Sequence, residues 1–196
     1  EVLLKLQSRG MKAPKLAIGD GAMGFWAAMD EVYPETRHQR CWQHKTMNVL
    51  NCLPKLSQPK AKDALHNIWQ AETKGDAEKA FDLFIKTYEP KYPKATLCLQ
   101  KDREELMAFF DFPAQHWQSI RTSNPIESAF ATIRHRTKRS KGCLSRDGML
   151  HMMFKLGQCA EENWRKLRGF DYLAKVITGV TFKDGIETTN PSQIAA

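Results

Sequence analysis

The sequence predicts an α/β layer followed by an all-helical block, and three observations carry that prediction. Two strand-length apolar runs, each followed by a helical pattern, fall within the first 54 residues, and strand, helix, strand, helix in so short a span is the pattern of an α/β layer. From about Ser57 to Gln118 the strand-like runs disappear and capped helical patterns follow one another. After Asn124-Pro125 the chain becomes a long, amphipathic and basic helical pattern.

Taken in order, Val2 to Gln7 reads as the end of a helix. Lys15-Leu16-Ala17-Ile18-Gly19 is a buried strand that stops at Asp20. Ala22 to Val32 has Met23, Trp26, Ala27 and Met29 at helical spacing and is closed by Tyr33-Pro34. Thr36 to Cys41 alternates as a second strand, and His44 to Leu53 puts Met47, Leu50 and Leu53 on one helical face before Pro54 stops it.

Ser57-Gln58-Pro59 opens the helical block. Asp76-Ala77-Glu78 opens a second helix with Phe81, Leu83, Phe84 and Tyr88 as its apolar stripe. Further helices are expected from Asn124-Pro125, from Ser145 or Asp147 to about Lys166, and from about Phe170 to Ile177. The division is therefore 1–54 (strand-helix-strand-helix), 55–118 (all-helical), 119–177 (carboxyl-terminal helices) and 178–196, a loose tail of Thr, Asn, Gly and Pro without periodicity.

The net charge is +8, which favours a polyanionic partner, nucleic acid first. The longest near-continuous apolar run, Ala22 to Met29, is eight residues, far short of the roughly 20 needed to span a bilayer. The charged, apolar opening Glu1-Val2-Leu3-Leu4-Lys5-Leu6 lacks a small-residue cleavage pattern. Five scattered cysteines, an odd number, argue against a disulfide framework and for a reducing compartment, the cytoplasm. The chain opens on Glu1 inside a helical pattern, so a fragment is expected.

Asp20 ends the first strand, where open α/β sheets present functional side chains, although capping the following helix explains the same residue. Glu127 sits in Arg121-Thr122-Ser123-Asn124-Pro125-Ile126-Glu127. Here Asn124 suits an N-cap and Pro125 the first helical position, so that a capping box accounts for the glutamate. Beyond it, Ile126, Phe130 and Ile133 share a face that should pack, while Glu127, Ala131, Arg134 and Lys138 share another.

Between residues 121 and 146 lie Arg121, Arg134, Arg136, Lys138, Arg139, Lys141 and Arg146 against the single acid Glu127. A merely solubilising face would carry interspersed acids, so phosphate contact is favoured. A carboxylate lodged in such a patch is intelligible if it holds a divalent cation, because Mg²⁺ takes one or two carboxylates together with phosphate oxygens. Cys41-Trp42-Gln43-His44 has half of a zinc-site spacing without a matching second pair, and packing at a strand-to-helix junction competes with that reading. Trp69, Trp117 and Trp164 are expected to anchor cores, an aromatic wedge between bases being the alternative.

Leu16-Ala17-Ile18-Gly19-Asp20-Gly21-Ala22, Cys41-Trp42-Gln43-His44-Lys45, Arg121 to Ser128 and Arg134-His135-Arg136-Thr137-Lys138, in this order and with a helical block between the second and third, resemble the second half of a mutator-type bacterial insertion-sequence transposase. The resemblance implies an RNase H-like core, to which 1–54 and 119–177 belong, interrupted by an all-α insertion at 55–118. It implies a DDE site in which Asp20 is the second aspartate and Glu127 the glutamate, both holding Mg²⁺ or Mn²⁺. Arg121, Asn124, Arg134, Arg136, Lys138, Arg139 and Lys141 would grip DNA phosphates or order the glutamate, Arg134 matching the basic residue that many DDE enzymes carry two turns beyond it, and Cys41 and His44 would support the site without binding metal.

The implied partners are duplex DNA with terminal inverted repeats, target DNA and a second copy in a homodimer, in the bacterial cytoplasm at the nucleoid. The family's first aspartate belongs upstream of Glu1, so this chain is expected to be inactive alone. A non-catalytic DNA-binding or oligomerisation remnant, and a nuclease that hydrolyses without joining, are the alternatives.

Overall fold

The computed structural model describes residues 1–139 and 145–188. Helix α1 (Val2–Ser8) leads to strand β1 (Leu16–Gly19), helix α2 (Met23–Val32) and strand β2 (Arg37–Arg40). The strands pair in parallel, Leu16 opposite Arg37 and Gly19 opposite Arg40. Parallel neighbours cannot be joined by a tight turn, so α2 serves as the crossover. Ala17, Met29 and Tyr33 form a small core beneath this unit, with Leu3, Ala13, Trp26 and Val32 packed around it.

Helix α3 (Trp42–Leu50) leaves the sheet and enters a larger core. Its start at Trp42, two residues before the expected one, rotates the buried face to Trp42, Lys45, Thr46, Val49 and Leu50 and leaves Met47 exposed. Helices α4 (Gln58–Trp69), α5 (Lys74–Tyr88), α6 (Pro93–Gln100) and α7 (Arg103–Met107) close over it. They contribute Leu65, Ile68, Phe81, Phe84, Leu99 and Leu106, and the 3₁₀ turn at Ala108–Asp111 adds Phe109 and Phe110. Helix α5 begins earlier than Asp76 because Thr73 is its cap, the hydroxyl accepting from the Asp76 N–H at 3.1 Å. The stripe runs Ala77, Phe81, Phe84, and Leu83 is 64% exposed instead of belonging to it.

Strand β2 is bolted to this block. Gln39 Nε2 donates to the Leu106 carbonyl at 3.3 Å, and Trp42 Nε1 donates to the same oxygen at 2.8 Å. Arg40 Nε pairs with Asp102 Oδ2 at 2.8 Å, and the fully buried Lys45 ammonium contacts the same carboxylate and the Cys98 carbonyl. Burial alone would raise the Asp102 carboxyl, but Lys45 and then Arg40 outweigh it and hold the group below its ordinary value.

Helices α8 (Trp117–Ile120), α9 (Asn124–Arg139), α10 (Arg146–Glu161) and α11 (Tyr172–Thr178) follow. Ser145 caps α10 by accepting from the Gly148 N–H, as its sequence suggests. The helix stops at Glu161, before Lys166, where Asn163 Nδ2 takes up the Cys159 carbonyl. Trp164, expected in a core, is 61% exposed in the segment beyond. The face of α9 carrying Ile126 and Phe130 is also open: with Ile133, Phe154 and Trp164 it lines a cavity of about 880 Å³ between α9 and α10. Packing of that face is thus not achieved within the described residues.

The tail expected to be loose from Thr178 instead forms an antiparallel hairpin, β3 (Phe182–Lys183) with β4 (Ile186–Glu187). Asp184 and Gly185 both have positive φ, 51° and 77°, as a two-residue hairpin turn of the primed type requires. The turn is tied to the helical block: Gly185 N donates to Phe110 O, Ala114 N to Gly185 O, and Lys74 N to Asp184 Oδ1 at 2.6 Å. The remainder of the tail, 189–196, and Lys141 lie outside the described residues.

Candidate functional site

Four of the residues that the sequence singled out, Asp20, Cys41, His44 and Glu127, lie at or are tied to the carboxyl ends of the two parallel strands. Asp20 follows β1 and is exposed; its Oδ1 accepts from the Ala22 N–H at 3.2 Å, a local contact that orients the carboxylate. Gly21 has φ +93°, and a Cβ there would fall 1.6 Å from Arg40 Nη1. Only glycine gives both the backbone angle and the room, so the Asp20 turn lies directly on the Arg40–Asp102 pair.

The ladder extends one residue past β2, Cys41 N donating to Gly19 O at 2.8 Å. Cys41 is fully buried, and its sulfur accepts from the Ser123 N–H at 3.2 Å. One step along, Trp42 N donates to Arg121 O at 3.0 Å. The segment before α9 therefore runs along the start of α3, across the end of the sheet.

Ser123 then holds Glu127. Its Oγ lies 2.5 Å from Glu127 Oε1, 3.3 Å from Cys41 Sγ and 3.4 Å from His44 Nδ1. A hydroxyl has one proton, and the shortest contact, to the carboxylate, claims it. His44 Nδ1 is also 3.3 Å from Cys41 Sγ, and its Nε2 is 3.6 Å from Glu127 Oε1. Since α9 starts at Asn124 and the Glu127 N–H donates to Ser123 O, the carboxylate is engaged by a hydroxyl one turn back, not by a backbone N–H as in a capping box.

Asp20 and Glu127 are thus linked to one end of the sheet through Gly19, Cys41 and Ser123, while among the described residues no hydrogen bond joins the two carboxyl groups themselves. Both are oxygen donors of the kind hard divalent cations take. No group of three or more His, Cys, Asp or Glu side chains able to hold a metal forms among the described residues.

The basic residues divide. Arg121 is engaged inward, Nη1 donating to the Trp69 carbonyl at 2.8 Å with the guanidinium carbon 4.5 Å from the Trp69 ring; burial lowers its pKa. Asn124, Arg134, Arg136, Lys138 and Arg139 are exposed on α9. Among the described residues none of these four cations has an acid partner, whereas Arg37, Arg40, Lys45, Arg103 and Lys175 all do.

Sequence reasoning missed the tether at Ser123, although its i, i+4 spacing to Glu127 on a helical segment was a usable signal. It also missed Asp102, whose partners sit on two other elements. No helix among the described residues is long and apolar enough to cross a membrane.

A family model described as transposase, mutator family, matches residues 1–166. The chain is 57% identical, over 187 residues, to the transposase for insertion sequence element IST2 of Acidithiobacillus ferrooxidans; the match covers 95% of this chain and 63% of that protein. It is 44% identical over 194 residues to the transposase for insertion sequence element IS6120 of Mycolicibacterium smegmatis, covering 99% of this chain and 60% of that protein. The chain therefore spans about three fifths of the length of these relatives.

Proposed function

The chain belongs to the mutator family of transposases, and from that premise we propose that it carries two of the acidic residues, Asp20 and Glu127, with which a complete enzyme cuts and joins DNA at the ends of an insertion sequence. The supporting observation is the contact chain from Gly19 through Cys41 and Ser123 to Glu127, which links an exposed aspartate and a tethered glutamate to one sheet end.

In this reading β1, β2 and the later helices are part of an RNase H-like core, and 55–118 is its all-α insertion. Asp20 and Glu127 would hold Mg²⁺ or Mn²⁺. Such ions polarise a phosphodiester, activate the attacking hydroxyl and stabilise the leaving oxygen. Ser123 and His44 aim Glu127, and Cys41, buried and closed to solvent, fixes Ser123. The cations of α9 grip the phosphates on either side of the scissile bond. Water and then the freed 3′-hydroxyl attack phosphorus in line, each displacing a 3′-oxygen, with no covalent enzyme intermediate. The partners are duplex DNA with terminal inverted repeats, target DNA and a second copy of the protein, at the bacterial nucleoid.

The test is Mn²⁺-dependent cleavage of a duplex carrying the element ends, by the transposase that contains this chain. Asp20→Ala and Glu127→Ala should each lower cleavage by about 100-fold or more, beyond the 10- to 100-fold typical of residues that only support a metal ligand. Full activity in both variants removes the reading.

A further inference from the structure

Beside the first turn of α9 lies a cleft of about 800 Å³ whose lining includes Arg121, Arg165, Lys166 and Arg168 and no acidic residue. Three of these cations come from the connection between α10 and α11, a segment far from the basic run at 121–146. We propose that this cleft seats the phosphodiester backbone of duplex DNA, a second phosphate track distinct from the cations along α9. The proposal rests on the transposase reading and adds to it three residues, Arg165, Lys166 and Arg168, that hold the strand entering the site.

The charge of the cleft is uncompensated. Arg165, Lys166 and Arg168 are exposed, and among the described residues none is ion-paired. An exposed basic segment without interspersed partners is the arrangement that releases counterions from a nucleic-acid backbone. Neutral hydrogen-bonding groups, Gln118 and Asn124 among them, complete the lining, as suits contact with phosphate oxygens and sugars.

The cationic segment is also held in place. His116, 3% exposed, meets the Gly169 carbonyl through Nε2 at 2.9 Å, and since a carbonyl can only accept, the ring nitrogen donates. Gly169 has φ +66°, and a Cβ there would come within 2.5 Å of Gln115 Cβ, so the backbone passes against the 3₁₀ turn Ala114–His116 just before α8, where only glycine fits. Elsewhere in the lining Arg121 is fixed on Trp69. Cations held at both places by such contacts make an organised surface unlike a flexible basic tail.

Position gives the groove its use. Asn124 and Ser128, both in its lining, flank Glu127 in the first turns of α9. The cations Lys138 and Arg139 lie toward the other end of the same helix, about 21–22 Å along it from Asn124. A backbone lying in the cleft would thereby pass the first turns of α9, the turns that carry Glu127.

The experiment measures binding of the 196-residue chain to a fluorescent DNA duplex by anisotropy across a range of salt concentrations. Arg165→Ala/Lys166→Ala/Arg168→Ala should bind at least about tenfold more weakly at moderate salt and lower the salt slope by about one unit for each phosphate no longer gripped. The charge-matched control Lys60→Ala/Lys62→Ala/Lys86→Ala, on the exposed side of the helical block, should leave both nearly unchanged. A control that weakens binding equally, or a triple variant that binds like the unmodified chain, overturns the cleft. If Arg136→Ala/Lys138→Ala/Arg139→Ala still lowers the slope in that case, the transposase reading survives the loss. A chain with no affinity for the duplex overturns the cleft and the DNA grip of α9 together.

Discussion

Cys41 and Ser123 are 82 positions apart and meet through the sulfur of one and both the amide and the hydroxyl of the other. The contact carries the end of β2 to the start of α9, with the whole helical block looped out between them. Because the Ser123 hydroxyl also holds Glu127, the burial of one cysteine determines where a glutamate on a distant helix stands.

Removing that tether should separate position from chemistry. Ser123→Ala keeps the Glu127 carboxylate but frees its rotamers, so cleavage should fall by about 10- to 100-fold. Higher Mn²⁺ should recover part of the loss. Glu127→Gln, which keeps the shape and loses the charge, should not be recovered. Equal behaviour of the two variants across a metal titration would show that Ser123 does not act through Glu127.

Asp102 sets a pH dependence on stability. Its carboxyl is held below its ordinary value, burial opposing and Lys45 and Arg40 prevailing, so the folded state binds its proton less readily than the unfolded chain. The contribution is complete above the unfolded carboxylate range, near pH 4, and is lost as pH falls through the lower folded value. Asp102→Asn should flatten this acid limb in denaturant midpoints measured against pH. It should also cost about 3–5 kcal/mol near neutrality, since the fully buried Lys45 loses its counter-charge.

Gly21 joins the two halves of the site. Gly21→Ala places a methyl on the Arg40 guanidinium and holds an ordinary residue at φ +93°, a conformation that costs roughly 1–2 kcal/mol by itself. Displacing Arg40 disturbs its pair with Asp102, so thermal unfolding should shift downward by more than the backbone term alone. Gly24→Ala, where the added Cβ meets nothing within 4 Å, should be neutral or stabilising and is the control.

The α/β opening and the helical block were legible because period and Pro act locally, as at Pro59 in the first turn of α4 and Pro54 after α3; the Ser145 cap of α10 is a signal of the same local kind. Asp20 and Glu127 were legible only as members of separate motifs; that both are linked to one sheet end depends on Cys41 meeting Ser123 across a folded block, which no local pattern encodes. The Lys45–Asp102–Arg40 group was hidden for the same reason. The hairpin was missed although Asp184-Gly185 marks its turn, because strands of two residues each are too short to show alternation. Trp164 and the open face of α9 show the converse: apolar residues at the right spacing, such as Ile126 and Phe130, specify a face but not what covers it.

Arg121 makes the sharpest divide between sequence and structure. In sequence it heads the basic run and reads as a phosphate contact. In the fold its guanidinium is half-buried, donates to the Trp69 carbonyl and lies over the Trp69 ring. A charged hydrogen bond together with a cation–π contact at a partly desolvated site is worth about 2 kcal/mol, so Arg121→Ala should lower unfolding stability by roughly that amount. Arg121→Lys should recover little of it, because an ammonium cannot stack its plane on the indole while reaching the carbonyl. The salt slope of DNA binding then distinguishes two kinds of cation in one cleft: Arg168→Ala should reduce the slope with stability nearly intact, and Arg121→Lys, its charge retained, should lower stability while leaving the slope close to that of the unmodified chain. A slope that falls as far for Arg121→Lys as for Arg168→Ala would mean that the guanidinium leaves Trp69 to meet the phosphate.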